Sequence, residues 1–296
     1  MRNALTIDLE DYYHVSAFHD TVAANKWDSK SSRVEQNTDR LLNCLDEAGF
    51  KATFFALGEV AEQRPHLIRE VASRGHEIAC HSLRHRIVYE MTPQEFREDT
   101  RRAKDVLEQL SGAPVLGYRA PSFSITRESL WALDILAELG FRYDSSIFPV
   151  RHPNYGVTDS SRFPYSVQTP AGSIVEFPLP TLQINNMRAP LTGGAYLRIL
   201  PYFYTRWGIR HINQRELKAV CVYLHPWELD ADQPRMQGPL TARLRHYMGL
   251  RGTETKLRNL LRDFEFCPMQ CLVKEWHTKE RHVESTCELV LNSSNP

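Results

Sequence analysis

The chain has 296 residues, of which 42% are hydrophobic and 24% charged, enough for the core of one large α/β domain or two small ones. The 36 basic and 36 acidic residues give a net charge of zero. This balance argues against a basic surface that binds nucleic acid and against a long acidic tail. Neither a signal-peptide pattern nor an apolar run of about 18 residues occurs, so the sequence predicts a cytoplasmic protein without a membrane span. Six scattered cysteines are expected to be reduced thiols there: Cys44, Cys80, Cys221, Cys267, Cys271 and Cys287.

Short apolar runs alternate with segments of helical period along most of the chain. Strands are predicted at 5–9, 52–57, 77–80, 115–118, 143–144 and 220–224, and helices at 36–48, 59–73, 93–110 and 126–139. Thr92, Pro93 and Glu95 form the pattern of a capped helix start. Alternating strands and helices predict parallel pairing through right-handed crossovers, as in a barrel or a doubly wound sheet.

The pattern weakens between residues 150 and 215, where prolines are frequent. We expect irregular loops that shape a substrate groove, with a hairpin around Ala171 and Gly172. Residues 277–296 are polar and lack periodicity, so they are expected to form a disordered tail.

Two histidines follow the third predicted strand. His81 and His85 are four residues apart, so both imidazoles can reach one metal ion if the segment forms a helical turn. Spacing alone also fits a solvated or hydrogen-bonded pair.

Three carboxylates end the first predicted strand. The two-residue period places Asp8 and Glu10 on one face and turns Leu9 into the packing. Acids gathered at a strand end need a cation or a positive side chain to compensate them, unless the loop is solvated and Asp11 only caps the next segment. An acid with His81 and His85 would give three ligands and leave room for water, the arrangement of a hydrolytic metal centre.

Two further polar residues follow predicted strands. Arg119 could pair with Asp8 and orient it, or form an ordinary surface salt bridge, while Pro121 fixes the turn beyond it. His225 ends the last apolar strand, and ligands of parallel α/β folds collect at carboxyl strand ends. His225 is therefore a candidate for proton transfer, although it could also cap the strand.

With these residues identified, the chain resembles the polysaccharide deacetylase family, also called the NodB-homology domain or carbohydrate esterase family four. The resemblance runs from about Leu5 to Trp276. Its motifs lie at 5–8, 75–85, 119–121, 143–146 and 224–225. The segments 10–13, 193–198, 225–228 and 245–247 are similar to hallmarks of a subfamily associated with exopolysaccharide and exosortase gene clusters.

The resemblance implies a distorted (β/α) barrel of about seven parallel strands, forming a single catalytic domain over 1–276 with a C-terminal helical extension from about 226. It implies a bound divalent metal, zinc before cobalt, nickel or iron, and removal of N-acetyl groups from N-acetylhexosamine units of a polysaccharide or its precursor. Many family members have two adjacent aspartates in the first motif, and Leu9 takes the second position here. Strand geometry favours Glu10 as the acidic ligand, with Asp11 as its rival.

The family's mechanism can be placed on this sequence residue by residue. Asp8, oriented by Arg119, would be the base and His225 the acid, with Asp144 accepting a hydrogen bond from His225 and raising its pKa. Tyr118, Pro121 and Trp227 would line the substrate site, although Trp227 could equally belong to the core.

Three other functions fit parts of the pattern. A related amidohydrolase could act on a small amide such as allantoin, and a non-catalytic relative could bind carbohydrate. A structural zinc protein would instead close the site with four protein ligands. The non-catalytic relative is disfavoured by the joint presence of Asp8, His81, His85, Arg119 and His225, because binding alone needs neither a base nor an acid.

Overall fold

A computed structural model describes residues 1–18, 31–152, 154–185 and 187–278. Its centre is a nine-stranded sheet in which seven strands form one parallel hydrogen-bonded path. In spatial order these are β10 (Cys221–Leu224), β1 (Arg2–Leu9), β2 (Thr53–Ala56), β3 (Glu77–Cys80), β4 (Gly117–Tyr118), β5 (Tyr143–Asp144) and β7 (Gly172–Glu176). The expected distorted barrel is confirmed.

The remaining strands extend this sheet or lie beside it. β6 (Tyr165–Thr169) pairs antiparallel with β7 and confirms the predicted hairpin, whose turn is formed by Pro170 and Ala171 just before Gly172 opens β7. β8 (Thr181–Ile184) and β9 (Met187–Pro190) form a separate hairpin. β11 (Glu265–Cys267) pairs parallel with the start of β1, so the C-terminal extension joins the central sheet.

The helices cover the sheet and form most of the C-terminal extension. They are α1 (Val34–Ala48), α2 (Gly58–Gln63), α3 (Pro65–Ser73), α4 (Pro93–Ser111), α5 (Trp131–Glu138), α6 (Gly194–Ile199), α7 (Tyr202–His211), α8 (Leu240–Tyr247) and α9 (Leu250–Asp263). A further helix covers 269–278. The predicted tail therefore begins inside a helix at 277–278, and its residues 279–296 lie outside the described part.

Two predicted helices are interrupted in the structure. The segment 59–73 divides at Arg64, whose backbone (φ −135°, ψ 62°) is not helical because Pro65 follows it. The segment 126–139 begins with a 3₁₀ turn, and α5 starts only at Trp131. The capping box of α4 is confirmed, since Thr92 Oγ1 accepts a hydrogen bond from the Glu95 backbone N–H (3.2 Å).

Alternation along β1 separates the two sides of the barrel wall. Leu5, Ile7 and Leu9 pack with the apolar faces of the surrounding helices. Thr6 and Asp8 consequently point to the barrel interior. There the Arg119 guanidinium lies over the rings of Phe55 and Tyr223.

The described cysteines are free thiols, as expected: Cys44, Cys80, Cys221, Cys267 and Cys271. Cys287 lies outside the described residues. Every helix in the described ranges is too short or too polar to cross a lipid bilayer.

Candidate active site

The predicted site residues gather where neighbouring parallel strands end. Asp8 and Glu10 lie at the end of β1, His81 follows β3, Arg119 follows β4 and His225 follows β10. β1 lies between β10 and β2, with β3 and β4 next along the sheet, so all these ends open at the same rim. Pairing of the strands thus brings together residues more than two hundred positions apart in sequence.

Glu10, His81 and His85 form the one group of three potential metal ligands within the described residues. One ligand atom from each lies within 4.8 Å of the other two. The His85 Nε2 atom is 2.9 Å from Glu10 Oε2, and all three side chains are almost fully buried. Burial favours a neutral Glu10, but the charges of His85, His225 and His81 outweigh it and keep the Glu10 pKa below its usual range.

The donor set fits a divalent ion such as zinc, which prefers imidazole nitrogen and carboxylate oxygen. His81 Nδ1 lies 2.8 Å from the Arg119 backbone oxygen, a contact that would orient the ring with Nε2 toward the group. Burial lowers the His81 pKa to about 4, so the imidazole is neutral at physiological pH, as a metal ligand must be.

The segment carrying the two histidines is not the helical turn that the spacing predicted. Ser82 (φ 70°) and His85 (φ 54°) adopt left-handed backbone conformations. Ser82 Oγ accepts a hydrogen bond from the His85 backbone N–H (3.1 Å), which holds this tight loop. The imidazoles still converge, with ring centroids 5.4 Å apart. The two histidines are therefore close together, as predicted, but a tight loop and not a helical turn brings them there.

Asp8 and Arg119 form the predicted ion pair inside the barrel. Arg119 Nη1 donates to Asp8 Oδ1 at 2.6 Å and to Thr6 Oγ1 at 2.9 Å. The guanidinium also donates to the Ser145 backbone oxygen and side chain. It is completely buried, so the pair is not the surface salt bridge that the sequence left open. Arg119 fixes the orientation of Asp8.

His225 lies next to both acids of the first strand. Its Nε2 atom is 3.2 Å from Glu10 Oε1 and 3.9 Å from Asp8 Oδ2. Its Nδ1 atom is 3.1 Å from Glu228 Oε2, and Glu228 Oε2 also accepts from the His225 backbone N–H. Burial disfavours the charged imidazole, but Glu228, Glu10 and Asp8 overcome it and raise the His225 pKa to about 9.

The prediction that Asp144 holds His225 is wrong, because Glu228 occupies that position. Asp144 instead accepts hydrogen bonds from the Ser146 hydroxyl (2.6 Å) and backbone N–H (3.1 Å). It adjoins Glu176, whose pKa is raised well above its usual range by burial and by the Asp144 charge. Asp144 belongs to a buried carboxyl pair that holds the loop after β5.

Glu228 is in turn held by Arg198, and sequence reasoning missed both roles. Arg198 Nε donates to Glu228 Oε1 at 2.5 Å, and both side chains are buried. The charges of His225 and Arg198 outweigh burial and lower the Glu228 pKa to about 2. An acid three residues after a histidine is the spacing of a capping box, which forms here around His225. That spacing was the available signal.

Asp11 does not reach the imidazoles. Its carboxylate accepts hydrogen bonds from the backbone N–H of Tyr12 (2.9 Å) and Arg33 (2.8 Å) and from the Ser32 hydroxyl (2.7 Å). These contacts cap a 3₁₀ turn and hold the start of α1. The capping alternative is therefore the observed one, and Glu10 is the acid that joins the histidines.

The three predicted substrate contacts are largely buried. Tyr118 packs against Phe96 and Phe141 on the helical side of the sheet, so its assignment to substrate binding is wrong. Pro121 is buried at the start of a 3₁₀ turn. Trp227 is 3% exposed and stacks between His225 and His246, at centroid distances of 5.1 and 4.4 Å. Trp227 thus supports the His225 ring and offers almost no face to a sugar.

An α/β barrel with a buried group of one carboxylate and two histidines is typical of metal-dependent hydrolases. Residues 17–143 match the family model for polysaccharide deacetylases, and residues 145–274 match a domain of unknown function (DUF3473). Residues 17–143 of the chain are therefore similar to the catalytic domain of polysaccharide deacetylases.

Curated relatives match parts of the chain. A peptidoglycan-N-acetylglucosamine deacetylase of Bacillus cereus is 32% identical over 33% of this chain and 36% of its own length. A peptidoglycan deacetylase-like protein of Gibberella zeae is 29% identical over 47% of this chain and 45% of its own length. The chain thus spans less than half the length of these relatives.

Solved structures share the fold over nearly the whole chain. A candidate polysaccharide deacetylase from Mycobacterium smegmatis has a TM-score of 0.62 at 22% identity, covering 94% of this chain and 92% of that one. An allantoinase has a TM-score of 0.60 at 16% identity, covering 93% and 89%. At these identities the likeness shows the fold alone.

Proposed function

We propose that the protein is a metal-dependent hydrolase that removes N-acetyl groups from N-acetylhexosamine units of a polysaccharide or its precursor. The observation that carries the proposal is the buried convergence of Glu10, His81 and His85 beside two groups suited to proton transfer, Asp8 and His225. A role in exopolysaccharide biosynthesis is supported by the match of the C-terminal half to its subfamily's domain.

Glu10, His81 and His85 would hold the ion, with zinc the best fit to two imidazoles and one carboxylate. A bound divalent ion would supply Lewis-acid polarisation of the amide carbonyl and a more acidic water molecule. The remaining chemistry belongs to side chains of this chain.

Asp8 would accept the proton of the attacking water. Its Oδ1 is held by Arg119, and its Oδ2 faces His225 at 3.9 Å. His225 would protonate the departing sugar amine; in support, Glu228, Glu10 and Asp8 raise its pKa to about 9 and keep it protonated near neutrality. Glu228 binds its Nδ1 side and leaves Nε2 directed at the site.

The test combines metal analysis with product measurement on the whole chain. We expect acetate release from N-acetylglucosamine oligomers that is lost on chelation and restored by zinc. A Glu10→Gln variant should lose both metal and activity. Allantoin is assayed in parallel: turnover of allantoin without acetate release from the oligomers would contradict the proposed substrate.

A further inference from the structure

Large apolar side chains that face solvent are concentrated on two segments of the chain. Six of the twelve such residues in the described part form what we call the apolar ridge: Ile199, Phe203, Trp207, Leu240, Leu244 and Met248. Phe203 is 74% exposed and lies four residues before Trp207 on α7, so both project from one helix face. Leu240, 68% exposed, has the same relation to Leu244 on α8.

Arg198 joins the two segments. Its Nη1 atom donates to three backbone oxygens at the end of α8, including that of Met248 at 2.9 Å. Gly249, with φ +81°, packs so closely that a Cβ atom there would lie 2.4 Å from the Arg198 oxygen. Ile199 follows Arg198 in the chain, and Met248 precedes Gly249. Ile199, at the end of α6 just before α7, therefore lies near Met248 at the end of α8.

The same segments carry a local positive charge that the neutral total conceals. Residues 194–215 and 233–253 contain eight arginines and neither aspartate nor glutamate. Arg198 pairs with Glu228, and Arg206 pairs with Asp263. The other six arginines make no ion pair within the described residues: Arg210, Arg215, Arg235, Arg243, Arg245 and Arg251.

Exposed tryptophan, phenylalanine and leucine among uncompensated arginines are typical of helices that lie in a lipid–water interface. Anionic lipids attract such cations, whereas a second copy of the chain would oppose arginines to arginines. We propose that the apolar ridge docks the protein onto an anionic lipid bilayer.

The α8 part of the ridge adjoins the candidate active site. Arg198 binds Glu228, and His246 of α8 stacks on Trp227, which stacks on His225. Docking would therefore hold the site close to the membrane surface, where a lipid-attached glycan is presented. The docking itself does not depend on the proposed reaction.

Co-sedimentation of the full chain with vesicles tests the proposal without an activity measurement. We expect binding to vesicles of three parts phosphatidylcholine to one part phosphatidylglycerol, and little binding to phosphatidylcholine alone. Salt should weaken the binding. A Phe203→Ser/Leu244→Ser variant, with one change in each segment, should bind about tenfold more weakly or worse.

A matched control removes two exposed apolar side chains elsewhere. Tyr89→Ser/Leu130→Ser changes residues beyond β3 and β4, away from the ridge, and should bind as the unaltered protein does. Circular dichroism checks the folding of each variant. If the ridge variant does not fold, Arg210→Gln/Arg251→Gln provides the test, with about fivefold weaker binding expected for each lost charge.

Three results would overturn the proposal. The protein could ignore anionic vesicles, bind both kinds equally, or lose binding equally in the control variant. Analytical ultracentrifugation tests whether a second copy of the chain covers the ridge instead of a membrane. A dimer that the ridge substitutions convert to a monomer, with no vesicle binding by the unaltered chain, would make the ridge a contact between copies.

Discussion

Replacing Glu228 by glutamine tests the observed support of His225. The substitution keeps the size of the side chain and removes the charge that does most to raise the His225 pKa, which is about 9 in the folded protein. Glutamine can still accept a hydrogen bond at one atom, so the fold should persist. Arg198 would lose its buried ionic partner, with a cost in unfolding free energy on the order of 3 kcal/mol.

The effect on the proposed reaction follows from the protonation of the acid. Without Glu228, the His225 pKa should fall toward the ordinary histidine value of about 6.5. At pH 7.5 the protonated fraction would then drop from nearly all to about one tenth. Loss of orientation adds to this, so we expect kcat at pH 7.5 to fall about 10- to 100-fold, with a smaller loss at pH 6. KM should change little.

The assay is acetate release across pH, with metal content measured in parallel. Metal content should be unchanged, because Glu228 is not among the proposed ligands. Glu254→Gln is the matched control, since Glu254 pairs with Arg40 and Arg258 on the surface. A Glu228→Gln enzyme with unaltered kcat and an unshifted alkaline limb would refute the role given to Glu228.

Three further predictions concern other residues of the site and its surroundings. His81→Ala should lose both metal and activity, whereas His225→Ala should keep the metal and lose about 100-fold or more in rate, as metal analysis and acetate release will show. Tyr118→Phe should leave KM unchanged, because the ring is buried between Phe96 and Phe141; a raised KM would restore Tyr118 to the substrate site. Glu176 binds its proton more tightly in the folded state, so its own contribution to stability should decline as pH rises above about 4.3. The melting temperature of Glu176→Gln should therefore rise relative to that of the unaltered protein as pH increases. A difference in melting temperature that does not change with pH would contradict this.

Local sequence patterns predicted the parts of the site that depend on strand geometry. The two-residue period of β1 placed Asp8 and Glu10 correctly and buried Leu9. The same rule identifies the error at Tyr118. Because Arg119 points into the barrel, the residue before it must point to the helices. The positions of His81, Arg119 and His225 followed from strand ends, which the alternating pattern located well.

Contacts between segments distant in sequence were harder to predict. Nothing local shows that Arg198 reaches Glu228, since the pair depends on how α6 packs beside the turn after β10. The role given to Asp144 came from family resemblance alone, and Glu228 fills it here through a three-residue spacing. Left-handed backbone at Ser82 and His85 was equally unpredictable, because serine does not favour it and the enrichment of histidine there is too small to identify a position.

Zinc titration of the metal-stripped chain, followed by acetate release from N-acetylglucosamine oligomers, tests whether Glu10, His81 and His85 together hold a catalytic ion. We predict that release rises with added zinc and levels off at one ion per chain, and that Glu10→Gln shows no such rise. Release that is independent of zinc, or that Glu10→Gln supports equally well, would contradict a catalytic ion held by Glu10, His81 and His85.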